Sequence, residues 1–185
     1  MRIIAGSAGS FPLRVPKSLT RPTTDRVREA VFSSLGARVE GATALDLFAG
    51  SGSLGIEALS RGADSCVFVD AQPDATKVIK ENLARANLPG GKVVSQNVFQ
   101  WLRRLDEAGK FDLIFADPPY VRDNVSREDL TNLLRQETLA QSLGPDGCFI
   151  LESNSRMELP DMPLWETAKN REYGTTRVSF LVPSA

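Results

Sequence analysis

The sequence predicts an α/β domain built around a mostly parallel sheet with helices on both faces. From residue 43 onward, short and nearly continuous apolar runs alternate with stretches of helical periodicity, which is the pattern of parallel strands covered on both faces. Near the C-terminus two extended runs flank a Tyr173-Gly174 turn, which indicates an antiparallel hairpin. The 185 residues fit one domain. We therefore expect a single seven-stranded sheet, preceded by a small N-terminal β-hairpin and a helix.

The first 38 residues are expected to form that hairpin and helix. Arg2–Ala5 and Phe11–Val15 are typical of short strands, and the glycine-rich Gly6–Ser10 joins them. Apolar residues recur at every fourth position of Asp25–Leu35, and Gly36 follows directly. This spacing predicts a short amphipathic helix that ends at the glycine.

Strands and helices then alternate along the rest of the chain. The expected parallel strands are Thr43–Phe48, Ser65–Asp70, Lys92–Ser95, Phe111–Ala116 and Gly147–Glu152. The expected helices run from the glycine turn after the first strand to Gly62, from about Pro73 to Pro89, over Val98–Leu105, and over Arg127–Leu143 with Ser126 as N-cap. The closing hairpin should pair Leu164–Lys169 with Thr176–Val182.

Composition excludes several kinds of catalytic site. The chain has no histidine, so it cannot build a Ser-His-Asp or Cys-His nucleophile, a histidine-based zinc site or a histidine general base. Cys66 and Cys148 are too few and too far apart for a metal site, and we interpret both as core thiols. The N-terminus has no signal-peptide apolar region, and no run reaches transmembrane length. We therefore expect a cytoplasmic protein with no membrane partner.

Charge is distributed unevenly along the chain. The formal net charge is -1, but residues 1–38 carry seven Lys and Arg against two acidic residues, a net of +5, which leaves -6 for the remainder. A basic segment on an acidic body could bind phosphates, as a nucleic-acid reader requires. It could equally be a solvated N-terminal extension, and charge alone leaves both interpretations open.

The first parallel strand leads into a glycine-rich turn that is typical of nucleoside-cofactor sites. Gly50, Gly52 and Gly55 satisfy G-x-G-x-x-G, and the carboxylate of Asp70, which ends the next strand, can accept hydrogen bonds from ribose hydroxyls. Both NAD and S-adenosylmethionine (SAM) suit this arrangement. Asp46, just before the turn, favours SAM, because SAM carries no phosphate for the helix N-terminus and brings cationic groups instead. The alternative for Asp46 is a turn carboxylate with a structural role.

A second motif, Asp117-Pro118-Pro119-Tyr120, directly follows the fourth expected strand. Asp-Pro at a strand end is often only a turn. However, the Asp117 carboxylate and the Pro118 carbonyl can accept both hydrogens of an exocyclic base amine and so direct its lone pair toward a methyl donor. Pro119 has no N–H to compete for that carbonyl. Tyr120 offers a face on which a flipped base can stack, or is simply a loop aromatic.

The two motifs together resemble those of the class I SAM-dependent methyltransferases, a family with a Rossmann-like fold. The resemblance rests on Phe48-Ala49-Gly50-Ser51-Gly52 and on the Asp-Pro-Pro-Tyr tetrapeptide, which is associated with amino-group methylation. The N-terminal segments Met1–Gly6 and Arg21–Glu29 are similar to those of the bacterial 16S rRNA guanine-N2 methyltransferase family. This similarity runs from residue 1 to about residue 120 and weakens over the C-terminal third.

The resemblance implies roles for three groups of residues. The catalytic group is Asp117, Pro118, Pro119 and Tyr120. The SAM-binding group is Asp46, Phe48, Ala49, Gly50, Ser51, Gly52 and Asp70, with Asn97, Val98 and Phe99 around the adenine. The RNA-binding group is Arg2, Arg14, Lys17, Arg21, Thr23, Thr24, Arg26 and Arg28.

Some of these residues have alternative roles. Asn97 stands where many relatives of the wider class have Asp, and it could also cap the following helix. The segment from Arg21 to Arg28, which includes Asp25, could order the active site instead of contacting RNA. Arg26 and Arg28 do not share a helix face. One of them could therefore pair with an acid of the body, or both could be solvated.

The resemblance also implies an activity. The chain is expected to transfer the SAM methyl group to the N2 amine of a guanine in 16S rRNA, as a monomer without a metal, acting on the small ribosomal subunit or its assembly intermediate. The guanine must leave its stack to be reached. Three alternatives stay open: an adenine-N6 methyltransferase acting on DNA or RNA, a nicotinamide-dependent dehydrogenase, for which the Asp-Pro-Pro-Tyr loop has no role, and a non-catalytic RNA-binding module, which would not bind SAM.

Overall fold

The computed structural model describes residues 1–17, 23–106, 108–118 and 124–184. A seven-stranded sheet occupies its centre, with strand order β3-β2-β1-β4-β5-β7-β6. The strands are β1 Thr43–Leu47, β2 Ser65–Asp70, β3 Gly91–Ser95, β4 Phe111–Ala116, β5 Leu143–Asn154, β6 Trp165–Tyr173 and β7 Thr176–Pro183. The helices are α1 Asp25–Leu35, α2 Ser53–Ser60, α3 Pro73–Arg85, α4 Val98–Leu102, α5 Asn124–Leu134 and α6 Glu137–Gln141, with a 3-10 helix at Gly36–Val39.

The pairing of the strands confirms the predicted fold class. Strands β1 to β5 pair in parallel, whereas β7 runs antiparallel to both β5 and β6 and so forms the closing hairpin. In the described part of the chain no helix is both long and apolar enough to cross a membrane.

Helices cover both faces of the sheet because successive strand residues point to opposite sides. On one face α1, α2, α3 and the N-terminal arm (residues 1–17) pack against Ala44, Phe68 and Phe115. On the other face α4, α5 and α6 pack against Leu45 and Ile114. The core therefore consists of two apolar layers, one on each face of the sheet.

The N-terminal arm is a minimal version of the predicted hairpin. It makes a single antiparallel bridge between Arg2 and Pro12, and the backbone N–H of Ile3 donates to the carbonyl of Phe11 over 2.9 Å. Proline has no N–H to donate, so the ladder cannot extend as a regular pair of strands at this point. The predicted helix over Asp25–Leu35 is confirmed with the same bounds.

The predicted single helix Arg127–Leu143 with Ser126 as its N-cap is wrong. The chain forms α5 and α6 instead, with Gln136 extended between them at φ -75° and ψ 106°. Ser126 is the third residue of α5. If α5 continued, its buried face would next contain polar residues at 137 and 141. Because the helix breaks, the face of α6 that meets the core contains the apolar Leu139, which is fully buried.

The fifth strand is longer than predicted. It begins at Leu143, which was expected to end a helix, and it runs to Asn154 rather than ending at Glu152. Its pairing with β4 shifts register between Phe111 and Leu113. The two extra residues at its carboxyl end, Ser153 and Asn154, pair with β7.

Gly55 permits unusually close packing between α2 and β2. A Cβ at this position would lie 2.4 Å from Phe68 Cε1 and 2.6 Å from Cys66 Sγ, both on fully buried side chains. We expect Gly55→Ala to lower the free energy of unfolding by about 1–3 kcal/mol, because the buried neighbours have no space into which to move. Urea denaturation measures this loss.

A matched control for that substitution is Gly144→Ala. A Cβ at Gly144 would meet its nearest neighbour at 3.6 Å, an ordinary contact distance, so the loss should be smaller than at Gly55. Equal losses for the two variants would contradict the close-packing explanation.

Candidate active site

The candidate active site lies beyond the carboxyl ends of β1 and β4. The chain proceeds from β1 to β2 on one side and reaches β4 on the other, so strand order reverses at this point, where open α/β sheets bind ligands. One cleft is lined there by the glycine turn, Asp46, Thr23 and Asp117. Part of the predicted cofactor-binding group therefore lines one cleft with Asp117 of the predicted catalytic group: Asp46, Phe48, Ala49, Gly50 and Ser51.

The turn after β1 depends on backbone conformations that favour glycine. Gly50 and Gly52 have φ of 55° and 76°, and Phe48 has a φ of 55° despite its side chain. The N–H of Gly52 donates to the carbonyl of Ala49 over 2.6 Å, which closes the turn. A Cβ at Gly52 would lie 3.1 Å from Ile56 Cδ1. The turn is tight, and a positive φ at a non-glycine residue marks local strain of the kind found at functional sites.

Asp70 ties the end of β2 to this turn. Its Oδ2 accepts a hydrogen bond from the N–H of Gly50, and its Oδ1 accepts one from the N–H of Gln72, each over 2.8 Å. A carboxylate oxygen has a second lone pair in each case. Asp70 can therefore hold the turn and still accept hydrogen bonds from two hydroxyls of a ribose.

Asp46 is a buried carboxyl group at the floor of the cleft, only 2% exposed. Its Oδ2 accepts a hydrogen bond from the N–H of Gly55 over 2.9 Å. Burial raises the pKa of Asp46 to about 8; the Gly55 hydrogen bond opposes this rise and the nearby Asp70 charge adds to it. A cation beside a buried carboxylate favours its ionised form. The buried carboxyl group of Asp46 thus fits SAM, which carries a positively charged ammonium and a positively charged sulfonium.

We expect Asp46 to make SAM binding depend on pH. Because its pKa lies near 8, the carboxyl is protonated at lower pH and must lose that proton when it meets a cation, so SAM affinity should rise as the pH approaches 8. Calorimetry in two buffers that differ in ionisation enthalpy measures the released proton.

Asp46→Asn is the matched variant for this prediction. Its amide oxygen can still accept from Gly55, but the charge is lost, so SAM affinity should fall by about 10- to 100-fold and proton release should disappear. Wild-type binding without proton release, or an Asn variant with wild-type affinity, would contradict the role of Asp46.

The residues expected around the adenine lie at the carboxyl end of β3. The Asn97 side chain caps α4, where its Oδ1 accepts from the N–H of Gln100 over 3.2 Å, so the capping role is present. Val98 is buried. The rings of Phe48 and Phe99 lie 6.1 Å apart with an interplanar angle of 66°. The ring contact joins the turn after β1 to α4, and the adenine contact of all three residues stays a prediction.

Asp117 and Pro118 directly follow β4, and both are half-buried. The hydroxyl of Thr23 lies 3.2 Å from Asp117 Oδ2 and 3.0 Å from Glu152 Oε2. Glu152 has no role among the residues expected from sequence, although it is an acid near the carboxyl end of a strand, as Asp70 is. Arg21, Pro119 and Tyr120 lie outside the described residues.

The prediction that Arg28 contacts RNA is wrong, because its side chain is fully buried. Its guanidinium donates to the backbone carbonyls of Arg2 and Thr23 and to Asp25 Oδ1, and its Nε lies 3.6 Å from Glu57 Oε2. The structure instead has the alternative arrangement, in which one arginine, Arg28, pairs with an acid of the body, Glu57. A fully buried guanidinium joins the N-terminal arm, α1 and α2 and cannot reach a phosphate.

Glu57 is a buried partner that the sequence analysis missed. It is fully buried on α2 and accepts hydrogen bonds from the backbone N–H groups of Ile4 and Ala5, over 2.7 and 3.1 Å, and from Arg61. A glutamate inside an apolar helix run that contains no other charge was the available signal. Glu57 and Arg28 together hold the N-terminal arm against the body.

The remaining residues of the predicted RNA-binding group that the structure describes are exposed, except Thr23. The exposed members are Arg2, Arg14, Lys17, Thr24 and Arg26. Thr24 caps α1 through its side chain, Arg2 pairs with Asp25, and Arg14 pairs with Glu81. Thr23 is buried at the cleft, which matches the alternative that this segment orders the active site.

Asn82 links the arm to the glycine turn. It is fully buried, its Nδ2 donates to the carbonyls of Arg14 and Ser51, and its Oδ1 accepts from the N–H of Arg14. The N-terminal arm is therefore connected through Asn82 to the segment predicted to hold SAM, and the backbone of Arg14 is fixed relative to that segment.

Comparison with known proteins decides the family. The model of the family described as "Conserved hypothetical protein 95" matches residues 1–182. The chain belongs to this family. The chain is similar to "Putative rRNA methyltransferase YlbH" of Bacillus subtilis, with 41% identity over 97% of both chains. It is also similar to "Ribosomal RNA small subunit methyltransferase D" of Escherichia coli, with 34% identity over 94% of this chain and 85% of that protein.

Solved structures agree with that assignment. The chain superposes on "Putative methyltransferase yhhF from Escherichia coli" with a TM-score of 0.82 and 30% identity, covering 100% of this chain and 98% of the other. A more distant methyltransferase, SMU.776, solved in complex with SAH, shares the fold at a TM-score of 0.66 and 19% identity, covering 84% of this chain and 48% of that one. The chain thus has the Rossmann-like fold of the class I methyltransferases.

Proposed function

We propose that this chain methylates the N2 amine of a guanine in 16S rRNA of the small ribosomal subunit. The observation that carries the proposal is that Asp117, which begins the Asp-Pro-Pro-Tyr motif, lines the same cleft as Asp46 and the glycine turn. The name of the Escherichia coli relative, a small subunit rRNA methyltransferase, supports the substrate. The amino-group motif and the similarity of the N-terminal segments support the N2 amine over other positions.

The proposed chemistry uses hydrogen-bond acceptors rather than a strong base. SAM supplies a methyl group on a positively charged sulfur. Asp117 and the carbonyl of Pro118 accept the two amine hydrogens, which draws the nitrogen lone pair out of conjugation with the ring and directs it at the methyl carbon. The nitrogen forms the new bond to the methyl carbon, the old bonding pair stays on sulfur, and the methylated amine then gives up one proton to water. A site without histidine is sufficient for these steps.

The RNA in this proposal binds across the basic N-terminal segment of residues 1–38. Arg2, Arg14, Lys17 and Arg26 are exposed there, and the arm that carries three of them is hydrogen-bonded to the body at Glu57 and Asn82. Phosphate contacts from such a fixed surface position the RNA while the cleft selects the base. The chain acts as a monomer on the subunit or on an assembly intermediate.

The substrate class can be tested with labelled SAM. We expect transfer of tritiated methyl groups to small ribosomal subunits from cells that lack this family's enzyme, and little transfer to subunits that are already methylated. Large subunits and duplex DNA are the comparison substrates. Transfer to DNA or to large subunits but not to small subunits would overturn the proposed substrate.

A further inference from the structure

Asn82 is a fully buried polar residue of α3. Its Nδ2 donates to the carbonyl of Arg14 over 2.9 Å and to the carbonyl of Ser51 over 3.2 Å, and its Oδ1 accepts from the N–H of Arg14 over 2.9 Å. A side-chain amide has two N–H hydrogens, so each carbonyl receives a hydrogen of its own. The Arg14 N–H can bond only to the amide oxygen, which sets the orientation of the side chain and directs Nδ2 at Ser51.

The carbonyl that Asn82 binds belongs to the peptide group between Ser51 and Gly52, inside the glycine turn. The N–H of this peptide group donates to the carbonyl of Ala49 within the turn, and its carbonyl is held from outside the turn by Asn82. Gly52 has a φ of 76°, and glycine adopts positive and negative φ about equally readily. The local chain therefore resists rotation of this carbonyl only weakly, and the hydrogen bond from Asn82 fixes it.

Burial makes this hydrogen bond important to the turn. Ser51 is only 3% exposed and Asn82 is fully buried, so solvent is poorly placed to replace the side-chain amide. A buried carbonyl that loses its donor costs free energy, and the turn can recover that energy by rotating the carbonyl toward another donor. Ser51 lines the cleft together with Asp46, so such a rotation would change the shape of the cleft.

The N-terminal arm also touches the turn directly. The hydroxyl of Ser51 donates to Met1 Sδ over 3.4 Å, and the N–H of Leu13 donates to the carbonyl of Met1 over 3.1 Å. The two ends of the arm therefore lie side by side next to the turn, one in contact with Ser51 through Met1 and the other through Asn82. The arm is part of the surroundings of the turn as well as a carrier of exposed arginines.

We propose that Asn82 is a positioning residue for SAM, which holds the glycine turn in its binding conformation through the Ser51 carbonyl and is itself held by the backbone of Arg14. This inference rests on the proposed binding of SAM by the glycine turn. Asn82 acts on the cofactor only through the turn. Its loss should therefore weaken SAM binding and leave methyl transfer from bound SAM largely intact, because the proposed catalytic residues follow β4 and not this turn.

The test uses Asn82→Leu, which has a similar volume and no polar atoms. We expect the Kd for SAM, measured by calorimetry, to rise by about 5- to 50-fold, as for the loss of a buried hydrogen bond. The KM for SAM should rise in parallel, and kcat at saturating SAM should change by less than about threefold. Binding is measured below the melting temperature of each variant. If Asn82→Leu does not fold, Asn82→Ala, which adds no bulk, takes its place.

Ser60→Ala is the matched control, because Ser60 ties the same arm to α2 and not to the turn. Ser60 is 3% exposed, and its Oγ accepts from the N–H of Ala8 over 3.0 Å and donates to the carbonyl of Ala5 over 2.6 Å. The variant loosens the arm without removing the donor to Ser51. We expect its Kd for SAM to stay within about twofold of the wild-type value.

The outcomes distinguish this inference from the proposed function. If wild-type enzyme binds SAM and Asn82→Leu binds it equally well, the inference alone is overturned. An equal rise in Kd for Asn82→Leu and Ser60→Ala also overturns it, since the effect would then come from a loosened arm and not from the Ser51 carbonyl. A wild-type enzyme that binds no SAM overturns the cofactor role of the turn, and with it the proposed function, whatever the variants do.

Discussion

Asp117→Ala should lower kcat by about 10²- to 10⁴-fold, the range over which a single group that accepts a hydrogen from the reacting amine contributes. The Kd for SAM should change by less than about twofold, because the cofactor residues Asp46 and Asp70 make their hydrogen bonds to the glycine turn and α2 without Asp117. A residue that acts on the RNA base and not on the cofactor should slow methyl transfer when it is removed while leaving SAM binding intact. Single-turnover transfer and calorimetry measure the two quantities.

Asp112→Ala is the matched control for this prediction. Asp112 is an exposed acid near the opposite end of the same strand, where its Oδ2 accepts from the N–H of Thr43. We expect it to keep wild-type kcat. If Asp117→Ala lost SAM affinity as much as it lost rate, Asp117 would belong to the cofactor site, and the assigned role in orienting the amine would be wrong.

Arg28→Met should lower the free energy of unfolding by about 3–5 kcal/mol, the usual cost of removing one member of a buried ion pair. The guanidinium is fully buried beside Glu57 and also donates to Asp25 and to backbone carbonyls of the arm and of Thr23. Its loss removes a positive charge from beside the fully buried Glu57 and removes the donor to the backbone carbonyls of Arg2 and Thr23. Chemical denaturation measures the loss of stability.

Arg26→Met is the matched control, because it removes the same charge from the same helix at an exposed position. We expect a stability change within about 0.5 kcal/mol and weaker subunit binding with a salt dependence reduced by one phosphate contact. Equal losses of stability in the two variants would contradict the division into a structural Arg28 and a surface Arg26.

The positions of the parallel strands along the chain were largely readable from the sequence, because strands that are buried on both faces appear as continuous apolar runs. The residues of β1, β2 and β4 that line the site were identified for the same reason, since acids and glycines at strand ends stand out against apolar surroundings. The helix after Asn124 was harder to predict. Its break at Gln136 contains neither proline nor glycine, and the only signal was the phase change between Leu134 and Leu139.

Side-chain partners across the fold were less predictable than the elements. Arg26 and Arg28 are the same residue type two positions apart. Only the docking of the arm against α2 buries Arg28 and leaves Arg26 on the surface. Glu152 had a position similar to that of Asp70, but its partner Thr23 is 129 residues away in sequence. Local pattern carries no information about such a contact, because it depends on how the segment before α1 crosses the end of the sheet.

The most direct test of the central claim is the identity of the modified nucleoside. Small subunits that lack the modification are incubated with SAM and the enzyme. Their 16S rRNA is then digested, and the nucleosides are separated and identified by mass spectrometry. We expect one new product, N2-methylguanosine, which is absent when Asp117→Ala replaces the wild-type enzyme. The appearance of N6-methyladenosine, or of no methylated nucleoside, would contradict it.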